Sequence, residues 1–257
     1  MQNIYNVNGL PFWSEAEIAE RDHLMKVFAL YIDEFLRKEN AAWHMHRIEA
    51  PLLTPIELIN PNYKDRDVYI AGGDNRIIKS LTTFVMRPET TPGSYACAKW
   101  MLDGQHDKPP FVVWQAGKSF RKEQDQVTKN MRLKEFHQQE FQCLFTEDTK
   151  NDYMEVILPR LAVVFGSMLG RNVRVVESDR LPSYSKKTMD IEVELPHKWM
   201  EMASISLRTD FPGVFTYTTG KGAFTKKILV LEIAIGLDRC VYAKLLPKNE
   251  DDDGVSA

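Results

Sequence analysis

Apolar residues recur at helical spacing near the start of the chain. Ile18, Leu24, Val27, Phe28, Leu30, Tyr31 and Phe35 form one broad stripe, and Ser14 stands three residues before Glu17, the spacing of a capping box. The pattern predicts a long amphipathic helix over residues 14–39. HRIEAPLLTP follows and is strand-like, but Pro51 and Pro55 keep it from being a central strand along its full length. Residues 56–80 are polar, with a Gly72-Gly73-Asp74-Asn75 cluster, and read as loop or hairpin. FVVWQAG (111–117) and EFQCLF (140–145) predict strands. Residues 151–168 predict a helix with Met154, Ile157, Leu158, Leu161 and Phe165 on one side. NVRVVE, MDIEVEL, WMEMASISL and KKILVLEIAI give four more strand-like runs, and Gly236 opens a last helix, LDRCVYAKLL. The tail, KNEDDDGVSA, is acidic and expected to fray.

Strands in mixed order, with helices bunched at the start, middle and end, predict an α+β fold with a mainly antiparallel sheet rather than alternating βαβ units. A chain of 257 residues suits one large domain that can bury a core without staples. Net charge is −3, so any contact with nucleic acid needs a local basic patch. Cys97, Cys143 and Cys240 lie far apart without CxxC or CxxH spacing, which argues for free thiols in a reducing compartment. His44, His46, His106, His137 and His197 have no spacing typical of a metal site and read as surface or interface residues. No apolar run reaches membrane-span length, and the start, MQNIYNVNGLPFW, has no basic region followed by an apolar stretch. The expectation is a soluble, cytoplasmic protein without a membrane partner.

There is no Gly-rich phosphate loop of either common type, so a nucleotide here would have its phosphates held by side chains, and arginine is the natural choice. One stretch offers this. SFRKEQDQVTKNMRLKEFHQQEF (119–141) reads strand, charged loop, strand, with Arg121 and Glu123 at the exit of the first strand and Phe136 just inside the second. An arginine at a strand end can grip a phosphate bidentately, and an aromatic ring on the next strand can stack on a base. Lys129 and Arg132 in the loop would be useful near a nucleic-acid end. The spacing is equally that of a polar hairpin with a core phenylalanine.

FRKE followed by RLKEFHQQEF resembles motif 2 of class II aminoacyl-tRNA synthetases, and its loop length and second strand resemble the glycyl enzymes most. EIAIGLDR (232–239) resembles motif 3 of the same family, and RIEAPLLTP after a long helix is similar to motif 1. MRPETTPGSY (86–95) resembles the RPETAQG segment of glycyl-tRNA synthetases. SYSKKTMDIEVELPHKWMEMASISLRTDF (183–211) resembles their DIE…GWxE…GIAxRTDYD block. All five stand in the family order and together span almost the whole chain.

The resemblance implies a class II synthetase-like antiparallel sheet flanked by helices, and an enzyme that activates an amino acid, glycine first, with ATP and Mg2+. The aminoacyl group would then pass to a tRNA 3′ end. Arg121 would bind the ATP α-phosphate and the amino-acid carboxylate, and Arg239 the γ-phosphate. Phe136 would lie under the adenine, with Glu123 at its edge and Arg132 as a further ATP contact. Glu201 would hold the metal, with Asp190 or Glu192 second. Glu89, Glu140 and Glu232 match the family's glutamates around the glycine ammonium. Arg208 matches an arginine that faces the substrate, and Ala234 a position that touches it. Glu140 and Glu232 are embedded between Gln139 and Phe141 and between Leu231 and Ile233, which predicts burial, and a buried carboxylate needs a partner.

The chain departs from the family pattern in places. Ala234 stands where many glycyl enzymes have serine, Ser204 and Ser206 replace the glycine and alanine of GIAxR, and Asp210-Phe211-Pro212-Gly213 replaces DYDL. His137, Gln138 and Gln139 also differ from the usual motif 2 residues. After motif 3 come one helix and the acidic tail, 247–257, where the family has an anticodon-binding domain. Residues 1–257 are therefore expected to form a single stripped catalytic domain, dimeric through a segment at 14–55. Two rival readings keep the fold. One is a synthetase-like paralogue that charges a carrier protein or another acceptor. The other is a non-catalytic accessory subunit, which should have lost Arg121 and Arg239.

Overall fold

The structure, a computed structural model, describes residues 5–7, 9–59, 63, 67–71, 83–122, 131–149, 152–179, 183–219 and 222–247. The Gly72–Asn75 cluster, Glu123, Lys129 and the tail beyond 247 lie outside the described residues.

A short hairpin, β1 (Tyr5–Val7) and β2 (Leu10–Phe12), precedes helix α1 (Glu15–Glu39). The expected capping box closes the start of α1. The Glu17 carboxylate accepts from the Ser14 backbone amide at 2.6 Å, and the Glu17 amide donates to Ser14 Oγ. Leu24, Phe28, Ile32, Phe35 and Leu36 form the buried stripe, whereas Ile18, Leu30 and Tyr31 from the predicted stripe are exposed. Each buried side chain of this kind contributes roughly 1.5–3 kcal/mol.

HRIEAPLLTP is two short strands rather than one. β3 (Met45–Arg47) pairs parallel with β7 (Phe111–Phe120) at the edge of the main sheet, and β4 (Leu53–Pro55) belongs to a separate three-stranded sheet with β5 (Tyr69–Ile70) and β6 (Phe84–Met86). A 3-10 turn, Ile56–Leu58, follows β4. Helix α2 (Thr91–Asp103) is not among the elements read from the sequence; it starts with Pro92 and Gly93 in its first turn, residues that also mark turns. Gly93 lets α2 approach the 50s segment: a Cβ there would sit 2.3 Å from the Ala50 Cβ.

The remaining strands are β7 (Phe111–Phe120), β8 (Glu135–Thr146), β9 (Val173–Glu177), β10 (Ser185–Leu195), β11 (Lys198–Arg208), β12 (Val214–Thr219) and β13 (Gly222–Gly236). Helix α3 (Tyr153–Leu169) lies between β8 and β9, and α4 (Leu237–Leu245) follows β13. The main sheet runs β3-β7-β8-β13-β11-β10-β9, with β12 on the outer half of β13, and every pairing except β3–β7 is antiparallel. The fold is thus α+β, an antiparallel sheet flanked by helices, as expected.

Strict alternation gives the sheet two unlike faces. Phe141, Cys143, Leu231, Ile233, Ile235, Ile205, Ile191 and Val193 share a core with residues of α1, α3 and α4. The opposite face is apolar only where α2 covers it, through Phe111, Val113, Leu144, Ile228 and Val230. Farther along the same strands it becomes polar: Gln138, Glu140 and Gln142 on β8, Glu232 and Ala234 on β13, Ser204 and Ser206 on β11, Thr188 and Asp190 on β10. This polar half of the sheet is where the cleft opens.

Candidate active site

A cleft of about 510 Å³ opens on the polar face. Tyr63, Glu89, Arg121, Arg132, Phe136, Glu140, Asp190, Glu192, Glu201, Glu232, Ala234 and Arg239 all line it. Sequence positions from 63 to 239 thus converge on one cavity. Ala234 sits at its floor, paired with Glu140 of β8 on one side and Ser204 of β11 on the other.

Three carboxylates gather at one end. Glu140 and Glu232 are buried, as their apolar neighbours predicted, and so is Glu89, which stands just ahead of α2. Glu140 Oε2 accepts from the Thr90 hydroxyl at 2.5 Å and lies 3.1 Å from the Thr91 hydroxyl, while Gln138 donates to Oε1 at 2.7 Å. Thr91 Oγ1 is also 2.9 Å from Glu232 Oε2. One hydroxyl proton cannot serve both carboxylates, so Thr91 links two acceptors that compete for it. Burial, and then the charges of Glu232 and Glu89, pushes the Glu140 carboxyl up to about 8. Burial followed by the Glu232 charge also raises Glu89, with Arg208 and Arg121 pulling it back. Tyr63 donates to Glu89 Oε2 at 3.1 Å, and the buried Glu89 Oε1 has no hydrogen-bond partner among the described residues.

Arg208 is placed differently from the expectation that it faces the substrate. It is 2% exposed and is not part of the cleft wall. Its Nε and Nη2 donate to both oxygens of Asp210 at 3.0 and 2.7 Å, and its Nη1 donates to Glu232 Oε2 at 2.7 Å. The guanidinium also lies 4.0 Å from the Tyr184 ring centroid. Burial alone would lower its pKa, but Glu232 and Asp210 hold it well above the usual value. Arg208 therefore acts on the cleft through Glu232. Asp210, which keeps the first aspartate of the DYDL stretch while Phe211, Pro212 and Gly213 depart from it, supplies this arginine's second carboxylate.

Arg121 directly follows β7. Its amide donates to the Lys134 carbonyl at 2.9 Å, closing the base of the motif 2 loop, and its Nε donates to the Pro88 carbonyl at 3.1 Å. The guanidinium is 5.1 Å from the Phe136 ring centroid and 5.7 Å from that of Tyr63. A base stacked on Phe136 would thus lie beside a fixed cation. The placement of Pro88 and Glu89 depends on Arg87, which is buried and donates to the carbonyls of Lys118 and Ala50 at 2.8 and 2.9 Å. Gly117 leaves room for it: a Cβ there would sit 2.5 Å from Arg87 Nη2.

At the other end of the cleft, a register shift re-aims one strand. Ile191 pairs with Ala203 but Glu192 pairs with Glu201, so Met202 is bulged out of the ladder. The one-residue slip moves Glu201 onto the cleft face. Asp190, two residues before Glu192, shares that face. Burial above all raises the Asp190 carboxyl, and the Glu201 charge adds to this, while Ser178 and Ser204 oppose it. Arg239, in the first turn of α4, donates from Nη1 to the Glu201 backbone carbonyl at 3.0 Å and lies 3.5 Å from its carboxylate. Glu192, directly opposite Glu201 across the strands, is ion-paired with Arg174 at 2.6 Å, whereas Asp190 keeps a buried oxygen without a hydrogen-bond partner among the described residues.

Sequence reasoning did not single out Thr90, Thr91, Tyr63, Gln142, Tyr184 or Asp238 as site residues. Thr90 and Thr91 stood inside the RPETTPG segment already picked out, next to Glu89. Asp238, which accepts from the His137 amide at 2.8 Å, sits beside Arg239 in the motif 3 segment.

Residues 77–246 match the family described as "tRNA synthetase class II core domain (G, H, P, S and T)". A glycine–tRNA ligase from Mycoplasmopsis synoviae (strain 53) is 32% identical over 175 residues, covering 62% of this chain and 38% of the relative. One from Cutibacterium acnes (strain DSM 16379 / KPA171202) is 30% identical over 189 residues, covering 67% and 40%. A prolyl-tRNA synthetase from Cryptosporidium parvum, solved with halofuginone and AMPPNP, has the same fold, with a TM-score of 0.73 at 16% identity over 95% of this chain and 48% of that one. An antiparallel sheet with arginines and carboxylates around an open cleft is therefore a synthetase-type core. The chain belongs to the class II tRNA synthetase core domain family, and it spans less than half the length of these relatives.

Proposed function

We propose that this protein activates glycine with ATP and Mg2+ and transfers the glycyl group to the 3′ end of a tRNA. The observation that carries the reading is the placement of Glu89, Glu140 and Glu232 together at one end of the cleft with Arg121 beside them. Amino acids carry an ammonium and a carboxylate on the same carbon. Three buried carboxylates suit the ammonium, and the unpartnered Glu89 Oε1 is an acceptor for one of its protons. Arg121 suits the carboxylate and directs it toward a nucleotide stacked on Phe136. The choice of glycine rests on the resemblance of the 86–95 and 183–211 segments and on the relatives named above.

In the first step a carboxylate oxygen of the amino acid attacks the α-phosphorus of ATP. The bond to the β-phosphate oxygen breaks, and pyrophosphate leaves with the electron pair. Arg121 stabilises the charge at the α-phosphate, and Arg239 holds the leaving end. No covalent enzyme intermediate is required, because positioning and charge stabilisation supply the rate. In the second step a ribose hydroxyl attacks the acyl carbon and AMP leaves.

Asp190 and Glu201 fit a magnesium ion. They are oxygen donors on neighbouring strands of the cleft, and Asp190 Oδ1 is buried with no hydrogen-bond partner among the described residues. Bound there, the ion would offset phosphate charge. The chain's own part is to aim these carboxylates, which the Met202 bulge does for Glu201.

The reading includes a cytoplasmic homodimer assembled through residues 14–55, where Leu30, Leu52 and Leu53 are exposed. Among the described residues no helix is long and apolar enough to cross a membrane.

The test is ATP–pyrophosphate exchange with each common amino acid in turn, followed by charging of total tRNA. Exchange with glycine and acid-precipitable glycyl-tRNA support the reading. Absence of exchange with every amino acid overturns it. Exchange without tRNA charging moves the acceptor to a carrier.

A further inference from the structure

A second cluster of ligating side chains lies apart from the cleft, at the edge of the sheet beside β3. His44 precedes that strand, His46 is its middle residue, and Asp107 comes from the turn after α2. Sequence spacing gives no hint of it, because the aspartate is some sixty residues away. Both imidazoles reach the same carboxylate oxygen: His44 Nε2 is 2.6 Å and His46 Nε2 is 2.5 Å from Asp107 Oδ2. All three donor atoms lie within 4.8 Å of one another.

The surrounding bonds set the chemical state of these ligands. His44 Nδ1 is 3.0 Å from the Ala42 carbonyl oxygen, which has no proton to give, so Nδ1 carries the hydrogen. In the neutral ring, Nε2 then presents a lone pair to a carboxylate oxygen. That contact is favourable only with a second proton on the ring or a cation between the two. A ligating histidine whose other ring nitrogen donates to a backbone carbonyl is the usual outer-shell arrangement of a metal site. Asp107 is oriented in the same way, since its Oδ1 accepts the Lys108 amide at 2.7 Å. The neighbouring Arg37 is paired with Asp33 at 2.8 Å one helical turn away. The Phe111 ring, with its centroid 6.2 Å from that of His44 and 6.0 Å from that of His46, gives the cluster an apolar backing.

We propose that His44 Nε2, His46 Nε2 and Asp107 form a zinc-type divalent metal site, with the fourth position open to solvent. Two imidazoles and a carboxylate suit Zn2+ rather than Mg2+, which prefers oxygen ligands throughout. Ligands at about 2.0 Å in tetrahedral array lie ~3.3 Å apart, so the present contacts would open by less than about 1 Å. The imidazoles are 38% and 35% exposed, which leaves room for that movement and for a water. An ion here would tie the start of β3 to the end of α2, the helix whose first turn carries Thr91 into the carboxylate cluster. The site would brace the cleft from outside it, and its role does not depend on which amino acid is activated.

The test uses the full chain, stripped with EDTA and held in excess Mg2+. Zn2+ is titrated against a chromophoric chelator, and thermal unfolding is followed with and without the ion. The expected result is one equivalent bound tightly, a raised Tm, and affinity weakened at least about tenfold in H46A and in D107N. H197A, on a distant hairpin, should bind as the parent does. Co2+ added to the parent protein should give the intense visible bands of a tetrahedral nitrogen and oxygen site, a readout that needs no variant. Failure to bind one equivalent, octahedral Co2+ spectra, or affinity in H46A and D107N equal to that of the parent would overturn the site and leave an imidazolium–carboxylate pair.

Discussion

Arg208 and Glu232 meet at 2.7 Å beneath the carboxylate end of the cleft, and neither can be understood without the other. Arg208 is a counter-charge locked between Glu232 and Asp210. Glu232 Oε2 accepts from Arg208 and from Gln142 at 2.8 Å, and competes with Glu140 for the Thr91 proton at 2.9 Å. The chain has thus placed an extra buried cation under a cluster of three carboxylates, which limits their mutual repulsion when no ammonium is present.

Removal of that cation should be severe. Arg208→Met keeps much of the volume but leaves Glu232 and Asp210 without their partner, and breaking a buried pair in this way typically costs about 3–5 kcal/mol. Addition of Glu232→Gln should recover part of the loss, because the orphaned charge is then gone. Urea unfolding of the parent, both single variants and the double variant closes the cycle. Additive losses would mean that the contact contributes no coupling.

Glu140 gives the cleft a pH dependence. Its folded pKa, about 8, stands above its ordinary value of 4.5. Between those limits the folded protein holds a proton that the unfolded chain has released, so stability falls as pH rises through the interval and levels off above about 8. Glu140→Gln removes the ionisation. Its Tm relative to the parent should therefore rise between pH 5 and pH 9, at roughly 2–4 °C for each kcal/mol. Glycine should bind with release of a proton near pH 7, because an ammonium favours the ionised carboxylate. Calorimetry in buffers of different ionisation enthalpy would detect this, and a buffer-independent enthalpy would contradict it.

The sheet was legible because its strands alternate. EFQCLF and KKILVLEIAI put apolar residues on one face and Glu140, Glu232 and Ala234 on the other, and burial of both glutamates followed from their neighbours. The N-terminal helix was legible from Ser14 and Glu17. What failed was local. Pro92 and Gly93 in its first turn leave α2 without a plain start signal, and VFTYTT was not picked out as a strand. HRIEAPLLTP looked like one strand because its apolar residues continue past Pro51, although the chain leaves one sheet there for another. The carboxylate network was only partly legible: its glutamates stood in recognisable segments, but the pairing of Arg208 with Glu232 and the bridging by Thr91 depend on how β11, β13, β8 and α2 are brought together. The His44–His46–Asp107 cluster depends wholly on tertiary placement.

Assembly gives a further test. Leu30 is 66% exposed and Leu53 is 50% exposed, both within the proposed dimer segment. An exposed leucine on a long helix and another in a short strand of a small sheet suit a two-fold contact that uses the same patch twice. The parent should be dimeric at micromolar concentration, and Leu30→Glu or Leu53→Lys should shift it toward monomer without loss of the thermal transition. Light scattering coupled to size exclusion reads the mass directly. A monomeric parent would refute the arrangement.

The two phosphate arginines should separate kinetically. Arg121 would contact the phosphorus under attack, so its contact strengthens in the transition state, and Arg121→Ala should lower the rate of adenylate formation. Loss of such a donor typically costs about 3–4 kcal/mol, or roughly a hundred- to a thousandfold. Arg121 also braces Pro88 through its Nε, so Arg121→Lys is the necessary companion. Lysine keeps the charge but not the planar fork, and it should recover only part of the rate. Arg239 would grip the leaving pyrophosphate from the first turn of α4, so Arg239→Ala should weaken ATP binding as well as slow the step. Its loss also frees the Glu201 carboxylate from a 3.5 Å contact, so the Mg2+ dependence of that variant should change while that of Arg121→Ala does not. Quench-flow measurement of adenylate with ATP and glycine, on variants whose unfolding curves match the parent, separates the two roles. Parent rates in both alanine variants would remove these arginines from the reaction and, with them, the proposed placement of ATP in the cleft.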